Sequence, residues 1–326
     1  MLTAPAIGLI EQTISTSDTA PDTQKPIIDE RRRPTYHQHK SAEYVLPNDS
    51  PEHQRLETQT IHLPAMMDNH VLHAPIKDGE NKRMLDIGCG TGIITDLISS
   101  TYPSSECIGL DLSPVPTLRP RRPNTRFFQG NFTSSQPSSW LPTACGPSLS
   151  QGPELFDYIF SRLLILGMTD WPGFIKKEFS LLKPGGWAEV HDLEWHWCDA
   201  EDNIISHEWN WLNRLGEICE GEKGMDLHCG ARAKQWMQEA GFVNVQTFEY
   251  YWPWGGQAEI TTEMRELGMY SARDVPVMLH YMIERTMGEG ARKEEVEGMR
   301  REMRETLRAE KGKHQVVFVT IGRKPE

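Results

Sequence analysis

No stretch of this 326-residue chain stays apolar for the roughly 18 residues that a membrane-crossing helix needs, so no membrane partner is expected. Its six cysteines, at positions 89, 107, 145, 198, 219 and 229, are scattered rather than paired. That spacing excludes a disulfide framework and a zinc knuckle built on CxxC pairs. Cys219 and Cys229, with His228 beside the second, come nearest to a metal-binding group; they lack a second pair and read as buried or incidental thiols, and no metal is expected. Positive charge is also short. The 34 Lys and Arg stand against 46 Asp and Glu, a formal net charge of −12. A phosphate backbone calls for the opposite sign, so no nucleic-acid partner is expected. The apolar Ala4 to Ile10 stretch has no basic residue ahead of it and is broken by Pro5 and Gly8, so it does not read as a secretory signal. Free thiols and the missing signal point to the cytoplasm, with the nucleus open through the Arg31-Arg32-Arg33 run, which also reads as a solvated tail.

The composition, 38% hydrophobic and 25% charged, suits a globular enzyme with some disordered sequence attached. Residues 1–43 are polar, without a sustained apolar period, and are expected to be a disordered leader. Residues 44–326 are expected to form one domain. A helix after Glu52 is interrupted or restarted at Pro64. Strands are expected at 83–87, 107–111, 125–129, 156–161 and 187–191, with helices between them. Helical insertions are expected at about 195–241 and about 257–310, flanking a strand at 243–251 and followed by a last strand at 315–321. Within the second insertion, Val296, Met299, Met303 and Leu307 make the buried stripe of a helix from about Ala291 to Glu310. Alternating strands and helices predict an α/β fold with a doubly wound, mostly parallel sheet. The Ser/Pro/Gly-rich Thr133 to Pro153 segment reads as a surface loop with a helical turn near Trp140.

The chemistry concentrates at Leu85-Asp86-Ile87-Gly88-Cys89-Gly90-Thr91-Gly92. A strand ends in Asp86, three glycines alternate at 88, 90 and 92, and a helix follows. Glycines let the backbone turn sharply and approach a ligand that any Cβ would block, and the helix start offers free N–H groups. Asp111, ending the second strand, can accept both hydroxyls of a ribose. A dinucleotide turn requires a glycine three residues after Gly90, and Ile93 stands there instead. An acid two residues before the first glycine would also face pyrophosphate. The turn therefore favours a cationic cofactor without phosphate over a nicotinamide dinucleotide.

This segment resembles motif I of class I S-adenosylmethionine-dependent methyltransferases, and Leu181-Leu182-Lys183-Pro184-Gly185-Gly186-Trp187 resembles the turn before that family's fifth strand. More narrowly, the chain is similar to the fungal LaeA-like methyltransferases of secondary metabolism. That likeness runs through Tyr44-Val45-Leu46-Pro47-Asn48-Asp49, Glu52, Arg55, Leu56, Gln59, Gly109 to Pro114, Phe156-Asp157-Tyr158, Arg162, Asp170-Trp171-Pro172 and Gly322 to Pro325. The resemblance implies a seven-stranded sheet with helices on both faces and S-adenosyl-L-methionine as cofactor. It implies that Asp86, Gly88, Gly90 and Gly92 hold the methionine part, that Asp111 takes the ribose and that Leu112 packs on the adenine. Where the family has an acid facing the adenine amino group, this chain has Gly130-Asn131-Phe132, with the Asn131 side-chain oxygen as the substitute acceptor.

Methyl transfer from a sulfonium needs alignment and exclusion of water, and a base only where the acceptor must first lose a proton. His191, at the end of the fifth strand with Asp192 and Glu194 close by, is the candidate for that base; a packing role is the competing reading. Trp195, Trp197, Trp209, Trp211, Tyr250, Tyr251, Trp252 and Trp254 supply core, with some available to line an apolar acceptor pocket. Arg119, Arg121, Arg122 and Arg126 read as a solvated loop. The expected partner is a small-molecule methyl acceptor, taken on O or N. The alternative is a nuclear regulator of secondary metabolism acting through protein partners.

Overall fold

Apolar runs that end in a polar residue become strands whose tips share one edge of a sheet. A computed structural model describes residues 28–29, 31–77, 81–134, 136–140, 155–255, 261–288, 290–308 and 312–326. The strands are β1 (Arg83–Ile87), β2 (Glu106–Asp111), β3 (Thr125–Gln129), β4 (Phe156–Arg162), β5 (Leu182–Leu193), β6 (Val243–Trp254) and β7 (Lys313–Arg323). They form one seven-stranded sheet in the order β3-β2-β1-β4-β5-β7-β6. The first five pair in parallel, and β7 runs antiparallel to both β5 and β6. The strand order reverses between β1 and β4, and a sheet of this kind opens a crevice there beyond its carboxyl ends.

The principal helices are α1 (Ser50–His62), α2 (Ile93–Thr101), α3 (Trp171–Leu181), α4 (Asn210–Gly216), α5 (Cys229–Ala240), α6 (Thr262–Met287) and α7 (Lys293–Thr306). Strand alternation assigns their packing faces. Met84, Cys107, Tyr158 and Phe160 meet Ile94, Leu97 and Ile98 of α2 on one face. Leu85, Ile87, Ile108, Leu110 and Ile159 meet Trp171, Phe174 and Ile175 of α3 and Met237 of α5 on the other. Two helices near the crevice start at aspartate caps followed by proline: Asp49 accepts from Glu52 N before α1, and Asp170 from Gly173 N before α3. As the sequence anticipates, α1 breaks at Pro64, where a 3₁₀ turn, Leu63–Met67, continues the chain. Helix α7 buries Val296, Met299 and Met303, with Leu307 buried at its end.

Several boundaries move. β5 starts at Leu182 rather than Trp187, because strand pairing already begins there, with Leu182 opposite Phe156 of β4 ahead of an irregularity. β6 continues to Trp254, with β7 pairing it residue by residue from Gln246 onward. The last part of the segment expected as a leader makes contacts with the domain. Residues 1–27 lie outside the described residues, but 31–43 follow a fixed course over α1 and α6. Arg32 bonds Asp49 and sits 4.5 Å from the Tyr281 ring centroid, and Arg285 sits 4.7 Å from that of Tyr36. Arg32 is therefore not part of a free basic tail. The loop expected over 133–153 holds a helical turn, Pro137–Trp140, and its remainder from 141 lies outside the described residues.

One buried carboxylate fastens the segment before β1 to the sheet. Glu189 accepts from His73 N (2.9 Å), Ala74 N (2.8 Å), Tyr158 Oη (2.9 Å) and His191 Nε2 (2.7 Å). Burial pushes its pKa up, but the hydrogen bonds and charges of His191 and His73 outweigh burial and hold it below 4.5. His191 is pushed below 6.5 by burial, against the pull of Glu189, so at neutral pH an anionic carboxylate receives N–H from a neutral ring. With a folded pKa below the unfolded value, this stabilisation is complete above pH 4.5 and is lost as pH falls through the folded pKa. Glu189→Gln turns an amide NH₂ toward N–H donors and should lower the unfolding free energy in urea at pH 7 by about 3 kcal/mol. A loss below about 0.5 kcal/mol, the scale of a surface change, would contradict the clamp.

Candidate active site

The turn after β1 is strapped to β2 by backbone bonds from Gly88 N (2.8 Å) and Cys89 N (3.1 Å) to Leu110 O. Gly88 has φ +68°, and a Cβ there would collide with Leu164 Cδ2. Gly92, at φ +79°, starts α2, and a Cβ there would run into the Phe127 ring. Substitution at either position therefore meets both a strained backbone and a filled space. Arg119 ties the turn to its surroundings: it donates to Thr91 O (3.2 Å), Asp96 (2.5 Å) and Glu57 of α1 (2.8 Å). The arginine run is thus partly built in, not wholly a solvated loop; Arg121 also sits 4.0 Å from the Phe127 ring centroid.

Above this turn lies a cavity of about 230 Å³. Asp86, Gly88, Gly90, Asp111, Leu112, Asn131 and Phe132 all line it, so seven of the eight residues expected at the cofactor converge there. The eighth, Gly92, is not in the lining and acts one residue behind it, at the helix start. Asp86 is 3% exposed and accepts from Thr95 Oγ1 at 2.6 Å. Burial pushes its pKa up to about 7, against the opposing effects of Thr95 and the Arg162 guanidinium. Asp111 shapes the turn as well as the cavity, its carboxylate accepting from Gly90 N and Ser113 N, both at 2.8 Å. Burial raises its pKa to about 6, and those N–H groups pull it the other way.

Two expected roles change. The Asn131 side-chain oxygen accepts from Thr133 N (3.0 Å), Thr133 Oγ1 (2.8 Å) and Ser134 N (3.3 Å). It closes its own loop, a familiar habit of Asn side chains, rather than standing open as the substitute for the family's acid. His191 lines no part of the cavity. Its ring is 1% exposed, bonded to Glu189 and edge-on to Phe160 at 4.9 Å. These contacts are what a packing role calls for, and they hold the ring away from the residues that line the cavity.

Several lining segments were not assigned from sequence. The stretch Ser41 to Tyr44 and Leu56, Gln59 and Thr60 of α1 cover the cofactor end. Glu52 and Arg55, among the residues carrying the family likeness, form a buried ion pair, and Arg55 also reaches Gln59 (2.9 Å) and Tyr270 (3.2 Å) of α6. The loop 163–169 after β4 forms the middle wall. It begins with Leu163 at φ +54°, an uncommon conformation for leucine, and Leu164 N donates to buried Asp192 at 2.8 Å. Farther in, Leu193, Trp195, Trp197, Trp252, Val275, Met278 and Leu279 enclose an apolar chamber.

A parallel sheet closed by an antiparallel β7, with an acid–glycine turn and a cavity at its reversal point, defines a class I methyltransferase fold. A family model described as a methyltransferase domain matches residues 60–247, more than half of the chain, and the chain belongs to that family. S-adenosylmethionine is the cofactor of this class. The cavity fits it: Asp86 offers a buried carboxyl that suits an ammonium, and a second acid, Asp111, lines the same cavity and can accept from hydroxyls. The chain is 28% identical over 235 residues to the secondary metabolism regulator laeA of Aspergillus fumigatus, covering 71% of this chain and 58% of that protein. It is 28% identical over 225 residues to methyltransferase pytC of Aspergillus terreus, covering 68% and 64%. To the protein-methionine methyltransferase laeA of Emericella nidulans it is 26% identical over 213 residues, covering 65% and 53%. The chain thus spans less than two thirds of the length of these relatives.

The raised pKa of Asp86 carries a testable sign. A carboxyl that stays protonated up to about pH 7 stabilises the ligand-free fold below its unfolded pKa of 3.8 and loses that advantage as pH rises toward 7. Asp86→Asn should therefore raise the stability of the ligand-free protein at pH 8, by about 1–2 kcal/mol. The same change should weaken S-adenosylmethionine binding by about 10-fold or more, the loss of a charge-assisted hydrogen bond. In the unsubstituted chain, affinity should rise between pH 6 and 8 as Asp86 ionises. Calorimetry that finds a flat pH profile, or unchanged affinity in the variant, contradicts the assignment.

Proposed function

We propose that this chain transfers a methyl group from S-adenosylmethionine to a small, largely apolar molecule bearing oxygen or nitrogen, the acceptor being held between β5, β6 and α6. The observation that carries this reading is the continuity of the cofactor cavity with the chamber walled by Trp195, Trp197, Trp252, Met278 and Leu279. Apolar walls exclude water and seat a hydrophobic acceptor. The indole N–H groups of Trp195 and Trp197 are buried and lack hydrogen-bond partners among the described residues. Unpaired buried donors favour an acceptor that brings carbonyl or ether oxygens.

The bound cofactor supplies a methyl already activated on a positively charged sulfur. The chain's share is to orient and to exclude water. Loop 163–169, held by Asp192, sits between the cofactor turn and the chamber and fixes the approach. Among the described residues no histidine lines the cavity. The acceptor atom must then attack without an imidazole base, as an uncharged amine or an already ionised phenol does. A secondary-metabolite setting fits the name of one relative, the secondary metabolism regulator laeA.

A second reading has its own support. The thioether of a protein methionine also attacks without a base, and one relative is named for that acceptor. Under it, the chain is a regulator acting through protein partners. Incubating the purified chain with labelled S-adenosylmethionine and either small-molecule extracts or protein lysate separates the two. Label in a small molecule, with Met278→Trp lowering kcat/KM by about 100-fold and cofactor affinity changing less than about 3-fold, is the expected result. Label confined to protein overturns the first reading in favour of the second.

A further inference from the structure

Among the described residues two groups of two histidines and one glutamate come together, and their spacings differ in kind. At His73, Glu189 and His191 the closest pair is a hydrogen bond of 2.7 Å, and the carboxylate is filled by backbone and tyrosine donors. At Glu194, His196 and His228 no hydrogen bond forms. His196 Nε2 lies 3.5 Å from Glu194 Oε2, and His228 Nδ1 lies 3.7 Å from Glu194 Oε1. One donor atom from each of the three residues falls within 4.8 Å of the other two. Among the described residues no protein donor hydrogen-bonds the Glu194 carboxylate.

Those distances have a physical reading. Ligands about 2.0–2.1 Å from a tetrahedral zinc ion stand about 3.4 Å from each other, too far apart for a hydrogen bond and close enough to share one ion. The backbone fixes the arrangement. Trp195, at a bend just after β5, lines the cavity, whereas Glu194 and His196 on either side of it do not. Trp195 N donates to Leu227 O at 2.9 Å, clipping this segment to the residue before His228, the N-cap of α5. Cys198 and His314 exchange backbone bonds of 2.9 and 3.0 Å, holding the far end of the same segment. Side-chain exposures of 22% for Glu194, 16% for His196 and 45% for His228 leave a route for an ion and room for water as a further ligand.

We propose that Glu194, His196 and His228 form a binding site for a divalent cation of the zinc class. Two imidazoles and a carboxylate are a donor set that zinc accepts, with a remaining position for water. The site joins the segment carrying Trp195 to the start of α5, so a bound ion fastens one wall of the acceptor chamber from behind. It is separate from the cofactor turn and does not depend on which acceptor the chamber takes.

The test uses the full chain, stripped of metal with a chelator, dialysed and titrated with zinc chloride by calorimetry. One ion per chain is expected, together with a rise in Tm. His196→Ala and His228→Ala should each weaken binding by at least about 10-fold. His207→Ala, at an exposed histidine outside the group, should leave it unchanged. Cobalt in place of zinc should give the intense visible absorption of a tetrahedral site, lost in both variants. Zinc affinity unchanged in both variants, with circular dichroism showing them folded, overturns the proposal. So does the absence of any zinc binding by the unsubstituted chain.

Discussion

The architecture depends on a carboxyl group buried where the sheet opens. Asp86 lies one residue before the end of β1 at 3% exposure, with the Thr95 hydroxyl as its hydrogen-bond donor, and burial drives its pKa to about 7. Such a group costs stability in the ligand-free fold. A cationic ligand removes that cost, and the surrounding parts are arranged around delivering one. Gly88 lets Leu164 pack against the turn, Asp111 holds the turn through Gly90 N, and Arg119 binds the turn to α1 and α2. The parallel order β2-β1-β4 puts the turn at the reversal point, where the loop after β4 can close over it.

The second feature is a division of labour along β5. Glu189 and His191 point into the protein and hold the segment before β1; Asp192 holds loop 163–169 through Leu164 N; Leu193, Trp195 and Trp197 face the cavity. Glu194 and His196 turn to the other side, toward His228. One strand and its extension thus serve the fold, the cofactor loop, the acceptor chamber and the proposed cation site in succession.

The sheet and the cofactor turn were legible in the sequence because local chemistry encodes them. Cys107 to Leu110 is an apolar run closed by Asp111, and the Asp86-to-Gly92 turn places acid and glycines in sequence order. What the sequence hid depends on distance through space. Nothing local shows that Arg32 would meet Asp49 and Tyr281 and order part of the leader, or that Arg119 would reach Glu57. His191 stands at a strand end suited to catalysis, but only the fold reveals Glu189 beside it and Phe160 against its ring. Asn131 was read by position, whereas the short bonds to Thr133 and Ser134 captured its oxygen. The His196–His228 pairing joins a strand extension to a helix cap and has no spacing motif to find.

The central claim is that the cavity over Asp86 is built for the methionine and ribose of S-adenosylmethionine. A crystal structure of the chain with S-adenosylhomocysteine tests it most directly. The account predicts the amino group of the ligand within hydrogen-bond reach of Asp86 and the ribose hydroxyls at Asp111, with the thioether facing the chamber beyond Leu164. Density for the ligand elsewhere, or its methionine part turned away from Asp86, would contradict it.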